Sequence, residues 1–487
     1  MTVSVRDAAL AAAASHVDGG AFERDLARRV AFRTESPVPG SEAAARAYLG
    51  EEMAPALVAL GFTTRVVARG GRGLFLLAER REGEGLPTVL VYGHGDTVPG
   101  MAGRWAAGRD PWTLAADGER LYGRGTADNK GQHSVNLAAL ATVLAARGGR
   151  LGFNCRVLLE MGEELGSPGL RDVCRDERDA LRADVLVASD GPRLRADRPT
   201  LFLGSRGAVR LRLRCHLRDG AHHSGNWGGL IGNAATVLSH ALASCVDRNG
   251  VLTVDGLRPG PVPDAVRAAL ADVVPAGGPG EPPVEPGWGE PGLTPAERVF
   301  AWNTLEVLAL GAGDVRQPAA AIPGTAEAVV MLRFVADKPG NHRGPGNDRG
   351  GLDWREVGGI LRDHLRAHGF GAVEVSTVDG GNATRTDPGS PWVAWALRSL
   401  RRSTGKVPAL LPNFGGTLPN DVFMEELDLP TLWVPHSYPG CNQHAPDEHN
   451  LLPVLREGVV MMTGLFWDLG EAREEAGGDA APPRPAS

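Results

Sequence analysis

The stretch Thr88–Pro99, TVLVYGHGDTVP, predicts both the fold of the chain and the place of a functional site. It begins with an apolar run, VLVY, and continues to His94 and Asp96, which stand on either side of a glycine. A buried strand of a parallel sheet has such a run, and functional groups follow where the strand ends. His94 offers an imidazole nitrogen to a metal or a substrate, and Asp96 is close enough to orient it. Taken alone, the stretch fits a strand followed by a polar turn equally well.

Two later apolar runs end in the same kind of residue. FNCRVLLEM (153–161) is followed by Glu163 and Glu164. ADVLVAS (183–189) is followed by Asp190. Helical patterns lie between these runs, and strand–helix–strand alternation is typical of a parallel sheet with its ligands at the carboxyl edge. We therefore predict an α/β fold, with a mixed, largely parallel sheet and helices on both faces.

The pattern changes near residue 200. LFLGSRGAVRLRLRCHLR (201–218) and TAEAVVMLRFVAD (325–337) alternate apolar and polar residues, as half-solvated antiparallel strands do. We interpret this region as an α+β (ferredoxin-like) lid or dimerisation domain inserted into the catalytic domain. The predicted limits are 1–205 and 381–470 for the two catalytic parts, 206–380 for the inserted domain, and 471–487 for a disordered tail.

Two stretches within the inserted region are rich in Pro and Gly. We predict that residues 257–295 form an exposed excursion and that residues 338–351 form a flexible loop. Both leave the choice of substrate open.

Composition and charge restrict the function classes. A chain of 487 residues is too long for one ordinary core, which favours two domains. A net charge of -7 argues against nucleic acid as the main partner, and there is no run of 18 or more apolar residues that would predict a membrane span. The first 20 residues fit a helix rather than a signal peptide. Five scattered cysteines without C-x-x-C spacing indicate reduced thiols in a cytoplasmic protein.

Six side chains at strand ends or in glycine-punctuated loops are candidate metal ligands: His94, Asp128, Glu163, Glu164, Asp190 and His444. Mixed histidine and carboxylate sets suit zinc, manganese or cobalt. If one carboxylate bridges, five residues can hold two metals about 3.5–4 Å apart, which leaves one carboxylate free to act as a base. Glu163 and Glu164 are adjacent, and like charges repel unless a cation or a proton separates them. Alone, they fit two solvated glutamates at a helix start equally well.

Six ordered motifs resemble those of the M20 family of dinuclear zinc peptidases and amidohydrolases: GHGDTVP, LYGRGTADNKG, MGEELGSPGL, ASDG, HSGNWGG and QHAPDEH. The resemblance runs from about residue 20 to 470. It is strongest to the branch of carnosinase-like dipeptidases, where Trp105, the DPW turn and GGTLP also have counterparts. One such motif alone would be a weak signal, whereas six in the family's order are specific.

The resemblance implies which residues hold two divalent metal ions, with zinc as the first choice and manganese or cobalt as alternatives. Asp128 would bridge the ions, and its peptide bond to the next residue would be cis. Glu164 and His444 would complete one site, and His94 and Asp190 the other.

The resemblance also implies roles around the metals. Glu163 would be the general base, and Asp96 would orient His94. His223, in HHSGNWGG, would reach the active site of a neighbouring subunit and stabilise the oxyanion. Arg333 would hold the carboxylate of the substrate, together with the loop of Gly416 and Thr417. The alternative interpretation of Arg333 is an ordinary arginine on the surface of a strand.

We therefore predict a metal-dependent hydrolase that cleaves an amide bond next to a free carboxylate, in a small peptide such as a dipeptide. The same centre would also serve an N-acyl- or N-carbamoyl-amino-acid amidohydrolase. A metal-binding or scaffold homologue without activity is a third hypothesis, against which the intact Glu163 and the five ligands argue. The resemblance further implies a homodimer.

Overall fold

A computed structural model describes residues 4–36, 38–69, 71, 73–106, 108–275, 282–336 and 351–471. The predicted loop at 338–351 and the predicted tail lie outside the described residues, apart from Gly351 and Glu471. No helix in the described ranges is long and apolar enough to cross a membrane.

The helices are numbered in chain order: α1 (Val5–Asp18), α2 (Ala21–Ala31), α3 (Glu42–Ala47), α4 (Ala54–Ala59), α5 (Lys130–Ala146), α6 (Leu170–Asp176), α7 (Arg178–Leu181), α8 (Ser224–Trp227), α9 (Ala234–Cys245), α10 (Asp264–Ala269), α11 (Pro295–Phe300), α12 (Trp354–Ala367), α13 (Pro391–Thr404), α14 (Asn420–Leu427) and α15 (Leu452–Gly470). A π-helical segment, Tyr48–Met53, joins α3 to α4, and short 3-10 turns span Glu163–Leu165 and Asp255–Leu257.

The strands are numbered in the same way: β1 (Thr63–Arg69), β2 (Gly73–Arg80), β3 (Thr88–His94), β4 (Ala115–Asp117), β5 (Arg120–Tyr122), β6 (Asn154–Glu160), β7 (Val185–Ala188), β8 (Thr200–Phe202), β9 (Gly204–Ser205), β10 (Gly207–His223), β11 (Thr304–Gly311), β12 (Ala321–Phe334), β13 (Val373–Gly381), β14 (Thr384–Arg385), β15 (Ala409–Leu411), β16 (Thr431–Trp433) and β17 (His449–Leu451).

The main sheet has the strand order β1-β2-β6-β3-β7-β16-β8-β15 in the described residues. Its central strands β6, β3, β7 and β16 run parallel to one another. Strand β2 is antiparallel to both neighbours, and β8 is antiparallel to β16. The predicted mixed, largely parallel sheet is thus confirmed, and the carboxyl ends of four adjacent strands meet at one edge.

Helices cover both faces of the main sheet, as predicted. Val89 and Val91 of β3 belong to an apolar cluster with α5 and α15 on one face. Leu90 and Tyr92 belong to a second cluster with α6 and α14 on the other. Because successive side chains of a strand point to opposite faces, a strand that is covered twice needs an unbroken apolar run. This explains the sequence VLVY.

The inserted region forms a second, antiparallel sheet with the order β11-β12-β10-β13. Helices α9 and α12 cover one face, where Leu211 and Leu213 are buried. Arg210, Arg212 and Arg214 alternate with them on the open face and are exposed. The alternation of β10 therefore reflects burial on one side only. The predicted limits of the domains stay a prediction.

The prediction of an exposed excursion over residues 257–295 is wrong for its first part, whereas residues 282–288 are exposed as predicted. We predicted an exposed excursion, but Val262 and Val266 are buried in the apolar cluster that includes Phe202 of the main sheet. Residues 276–281 of this stretch lie outside the described ranges. The Pro and Gly content indicated a solvated loop around α10. This segment instead contains a short helix, and its apolar side chains cover the main sheet.

Candidate metal centre

Five predicted ligands meet at the carboxyl edge of the main sheet. His94 ends β3, and Asp128 lies just before α5. Glu164 follows β6, and Asp190 follows β7. His444 lies between β16 and β17. The parallel alignment of the central strands brings these positions together although they are far apart in the chain. The peptide bond between Asp128 and Asn129 is cis, as the resemblance implied.

Asp128 lies between two groups of ligands. Its Oδ1 is 2.9 Å from Nε2 of His94, and its Oδ2 is 3.0 Å from Nε2 of His444. Nε2 of His444 is also 3.1 Å from Oε2 of Glu164. Nε2 of His94 is 3.7 Å from Oδ2 of Asp190. Two triplets therefore share Asp128, and the donor atoms of each triplet lie within 4.8 Å of one another.

The donor chemistry of both triplets fits divalent cations. Each triplet has one imidazole and two carboxylates, a set that suits zinc, manganese or cobalt. Oε1 of Glu164 is buried and has no hydrogen-bond partner among the residues that the structure describes. A buried acceptor without a partner is unfavourable, and a cation at this position would satisfy it.

The carboxylates of the cluster have perturbed acidities. Burial raises the pKa of Glu163 well above its ordinary value, and the charges of Asp190 and Asp128 add to the rise. Burial, together with the charge of Asp128, raises the pKa of Asp190 to about 7. Hydrogen bonds with Asp128 and Glu164 raise the pKa of His444 to about 10. Without cations, the cluster therefore retains protons at neutral pH, and cations would displace them.

Asp96 connects the first ligand to the two glutamates. Its Oδ1 is 3.3 Å from Nδ1 of His94. Its two carboxylate oxygens accept hydrogen bonds from the backbone N–H groups of Glu163 and Glu164, both at 3.1 Å. Asp96 is buried, so these contacts are not screened by water. One carboxylate thus orients the ring of His94 and holds the turn that carries both glutamates.

A buried ion pair of Arg124 and Glu448 next to the loop of Asp128 was not predicted from the sequence. Nη1 of Arg124 is 2.5 Å from Oε2 of Glu448, and the two side chains are 0% and 1% exposed. The signal in the sequence was that each residue stands inside a motif with a ligand, LYGRGTADNKG and QHAPDEH. The pairing itself joins residues that are 324 positions apart.

The residues predicted to bind a carboxylate meet where the inserted sheet faces the catalytic domain. Nη1 of Arg333, on β12, donates to Oγ1 of Thr417 at 2.5 Å. Arg206, which the sequence analysis did not single out, donates from Nε to the carbonyl oxygen of Gly415 at 3.0 Å. Burial, and then the charge of Arg333, lower the pKa of Arg206 to about 10. Two guanidinium groups thus lie at the loop that contains Gly416.

His223 is not brought to the metal ligands within one chain. It ends β10 beside Ala321 and is exposed. Its Nδ1 accepts a hydrogen bond from the backbone N–H of Gly225 at 3.2 Å. In the part of the chain that the structure describes, no contact joins His223 to the five ligands.

A mixed sheet with an inserted antiparallel sheet, and two ligand triplets that share a carboxylate, fit hydrolases that use divalent metal ions. The chain belongs to peptidase family M20/M25/M40, whose sequence profile it matches over residues 90–468. It is accordingly a hydrolase that acts on peptide bonds.

The chain is also similar to known dipeptidases in sequence and in structure. The chain is 29% identical over 385 residues to the cysteinylglycine-S-conjugate dipeptidase of Corynebacterium striatum, across 74% of this chain and 76% of that protein. It is 35% identical over 185 residues, 37% of each chain, to the Beta-Ala-His dipeptidase of Mus musculus. Human carnosine dipeptidase 1 has a similar fold, with a TM-score of 0.74 at 21% identity over 97% of this chain and 100% of that one.

Proposed function

We propose that this protein is a metal-dependent dipeptidase that cleaves the peptide bond next to a free carboxylate. The observation that carries the proposal is the position of Asp128, whose two oxygens face the two histidines of separate ligand triplets. Glu163 lies beside these triplets as a carboxylate without an assigned metal. The dipeptidases of Corynebacterium striatum and Mus musculus, to which the chain is similar, support a dipeptide as substrate.

The roles of the catalytic residues follow from this arrangement. Two divalent cations at the triplets, zinc in our proposal, supply Lewis acidity toward the scissile carbonyl. Glu163 accepts a proton from the attacking water and delivers it to the leaving amine. Burial raises its pKa in the metal-free protein, and a carboxylate is a side chain that general-base catalysis uses. Asp96 holds the backbone of Glu163 and thereby the direction of its side chain.

The free carboxylate of the substrate binds at the inserted sheet. Arg333 offers a guanidinium group, which matches a carboxylate in geometry and charge. Thr417 accepts a hydrogen bond from Arg333, and Gly416 directly precedes Thr417 in the same loop. A guanidinium group that holds the carboxylate would favour substrates with a free carboxylate near the scissile bond, such as a dipeptide or an N-acyl amino acid.

A homodimer is the second part of the proposal. His223 is exposed at the end of β10, where it is free to reach the active site of a neighbouring subunit and stabilise the oxyanion. Strand β11 is at the edge of the inserted sheet and exposes Val307, Leu308 and Leu310. An apolar edge strand favours pairing with another chain. A cytoplasmic location is also proposed, supported by five buried cysteines with free thiols.

A substrate panel tests the proposed reaction. The protein is freed of metal, reloaded with zinc, manganese or cobalt, and assayed with dipeptides, N-acetyl amino acids and N-carbamoyl amino acids. We expect hydrolysis of dipeptides that have a free carboxylate. Turnover of the acylated or carbamoylated amino acids alone would establish the amidohydrolase instead. No turnover of any compound by protein with both metals bound would indicate a homologue without activity.

Complementation between subunits tests the dimer. His223→Ala and Glu163→Gln each remove a different residue of a shared site, so each homodimer should be inactive. A mixed dimer regains one intact site, so coexpression should restore activity. A monomer in light scattering with full activity would exclude His223 from the site.

A further inference from the structure

One oxygen of Glu448 organises the loop that presents the shared ligand. Its Oε1 accepts backbone hydrogen bonds from Gly125 at 3.0 Å, from Ala127 at 3.0 Å and from Asp128 at 3.2 Å. Three N–H groups that point to one buried carboxylate oxygen leave the loop little freedom. The conformation of residues 125–128 therefore depends on Glu448.

The partner of Glu448 connects two further ligand loops. Nη2 of Arg124 donates to the carbonyl oxygen of Pro99 and to that of Ala445, both at 3.1 Å. Pro99 is in the loop that follows His94, and Ala445 is adjacent to His444. The Arg124–Glu448 pair therefore contacts the loops of three ligands, which belong to both triplets.

Stability alone does not account for this pair. Burial of two charges is costly, and such a pair is often replaceable by apolar side chains without loss of stability. Nε of Arg124 is buried and has no hydrogen-bond partner in the described residues, which adds to the cost. Apart from the ion pair itself, the hydrogen bonds given above for the two side chains go to the ligand loops.

We propose that Glu448 and Arg124 are positioning residues that arrange both metal sites before any cation binds. Neither residue is assigned a contact with a metal or a substrate. The inference rests on the dinuclear centre of the proposed function and extends it, because it states what holds the ligand loops of both sites in place. Removal of the carboxylate of Glu448 should weaken both sites together, although it touches neither.

Metal binding by Glu448→Gln and Arg124→Gln tests the proposal. The affinities of the folded, metal-free proteins for Zn²⁺ are measured by competition with a chromophoric chelator, and the visible spectrum is recorded with Co²⁺. We expect the affinity of both sites to fall by about 10- to 100-fold, as for other residues that orient metal ligands. The Co²⁺ spectrum should change as well, since it reports the coordination geometry.

Asp468→Asn is the matched control. Asp468 forms an equally buried ion pair with Arg6, at 2.7 Å and with side chains 4% and 3% exposed, in the helical layer. This variant should lose stability but keep wild-type zinc affinity and the wild-type Co²⁺ spectrum. Equal losses of affinity in Asp468→Asn and Glu448→Gln would overturn the proposal, as would wild-type affinity in Glu448→Gln.

Hydrogen exchange of the unmutated protein gives a test that does not depend on the folding of a variant. In the metal-free protein, the amides of Gly125, Ala127 and Asp128 should already be protected. Free exchange of these amides until Zn²⁺ is added would overturn the proposal. Failure of the unmutated protein to bind two ions would remove the dinuclear centre itself. A lack of dipeptide hydrolysis would leave the positioning role intact.

Discussion

Oδ1 of Asp96 accepts a hydrogen bond from the backbone N–H of Glu163 at 3.1 Å. The same oxygen is 3.3 Å from Nδ1 of His94. The orientation of a proposed metal ligand and the position of the proposed base therefore depend on one buried atom. A change at Asp96 should affect metal binding and proton transfer together.

Asp96→Asn should lower metal affinity by about 10- to 100-fold and reduce kcat in protein reloaded with metal, since the amide replaces an acceptor by a donor. Chelator competition and steady-state kinetics measure the two effects. Asp247→Asn is the control, because Asp247 also accepts two backbone hydrogen bonds, from Asn249 and Val251, but in the inserted domain. Wild-type metal affinity in Asp96→Asn would contradict the assigned role.

His94→Ala should remove one of two metal ions and most of the activity. It deletes the imidazole of one triplet, whereas Glu164 and His444 still complete the other around Asp128. Metal content per chain, measured by elemental mass spectrometry, should fall from two to one. His368→Ala, on the exposed end of α12, serves as the control. Retention of both ions would show that His94 is not a ligand.

Glu163→Gln should lower kcat by about 10²- to 10⁴-fold, the usual contribution of a general base, with both metal ions retained. Glu164→Gln should instead lose metal, because Oε2 of Glu164 is 3.1 Å from Nε2 of His444. The comparison separates a base from a ligand in neighbouring positions. An unchanged rate in Glu163→Gln would refute the mechanism.

Arg333→Gln should reduce kcat/KM for a dipeptide by about 10- to 100-fold, the worth of a hydrogen bond to a charged group. The same dipeptide with an amidated C-terminus lacks the carboxylate, so Arg333→Gln should change kcat/KM for this substrate little. Arg210→Gln is the control on the same open sheet face, where Arg210 is paired with Asp379. Equal losses for both substrates would show that Arg333 does not recognise the carboxylate.

Metal binding should release protons at pH 7. In the metal-free protein, hydrogen bonds with Asp128 and Glu164 raise the pKa of His444 to about 10, and burial raises the pKa of Asp190 to about 7. Both groups must lose their protons to bind a cation, so the apparent affinity should rise as the pH rises from about 7 to about 10. Titration calorimetry in buffers of different ionisation enthalpy measures the released protons.

The variant His444→Ala should release fewer protons, and equal release would contradict the pKa assignment.

Protonated His444 also stabilises the metal-free fold. This contribution is fully present below its unfolded pKa of about 6.5 and is lost as the pH rises through its folded pKa of about 10.

The sheet and the ligands could be predicted because both depend on local pattern. An unbroken apolar run such as VLVY predicts a strand with two covered faces, and the polar residue after it predicts a position at the sheet edge. His94 and Asp190 could be identified in this way from the residues alone. The pairing of the ligands into two sites came from the resemblance.

Contacts between distant parts of the chain could not be predicted in this way. Nothing in the sequence near Glu448 indicates that its carboxylate faces Arg124, or that α10 covers the main sheet instead of lying in solvent. Arg206 and Arg333 approach each other because the inserted sheet faces the loop of Gly415. Such contacts arise from packing, which a one-dimensional pattern does not encode.

By itself, the sequence determined the α/β class, the strand ends that carry function, and the types of ligand available. Hydrophobic periodicity is a local property, and it decides which faces are buried. Only the tertiary structure decided that Asp96 also accepts hydrogen bonds from the backbone of Glu163 and Glu164, and that a buried ion pair supports the ligand loops. These relationships depend on the strand order and the loop paths of the folded chain, which bring residues up to 324 positions apart to within hydrogen-bond distance.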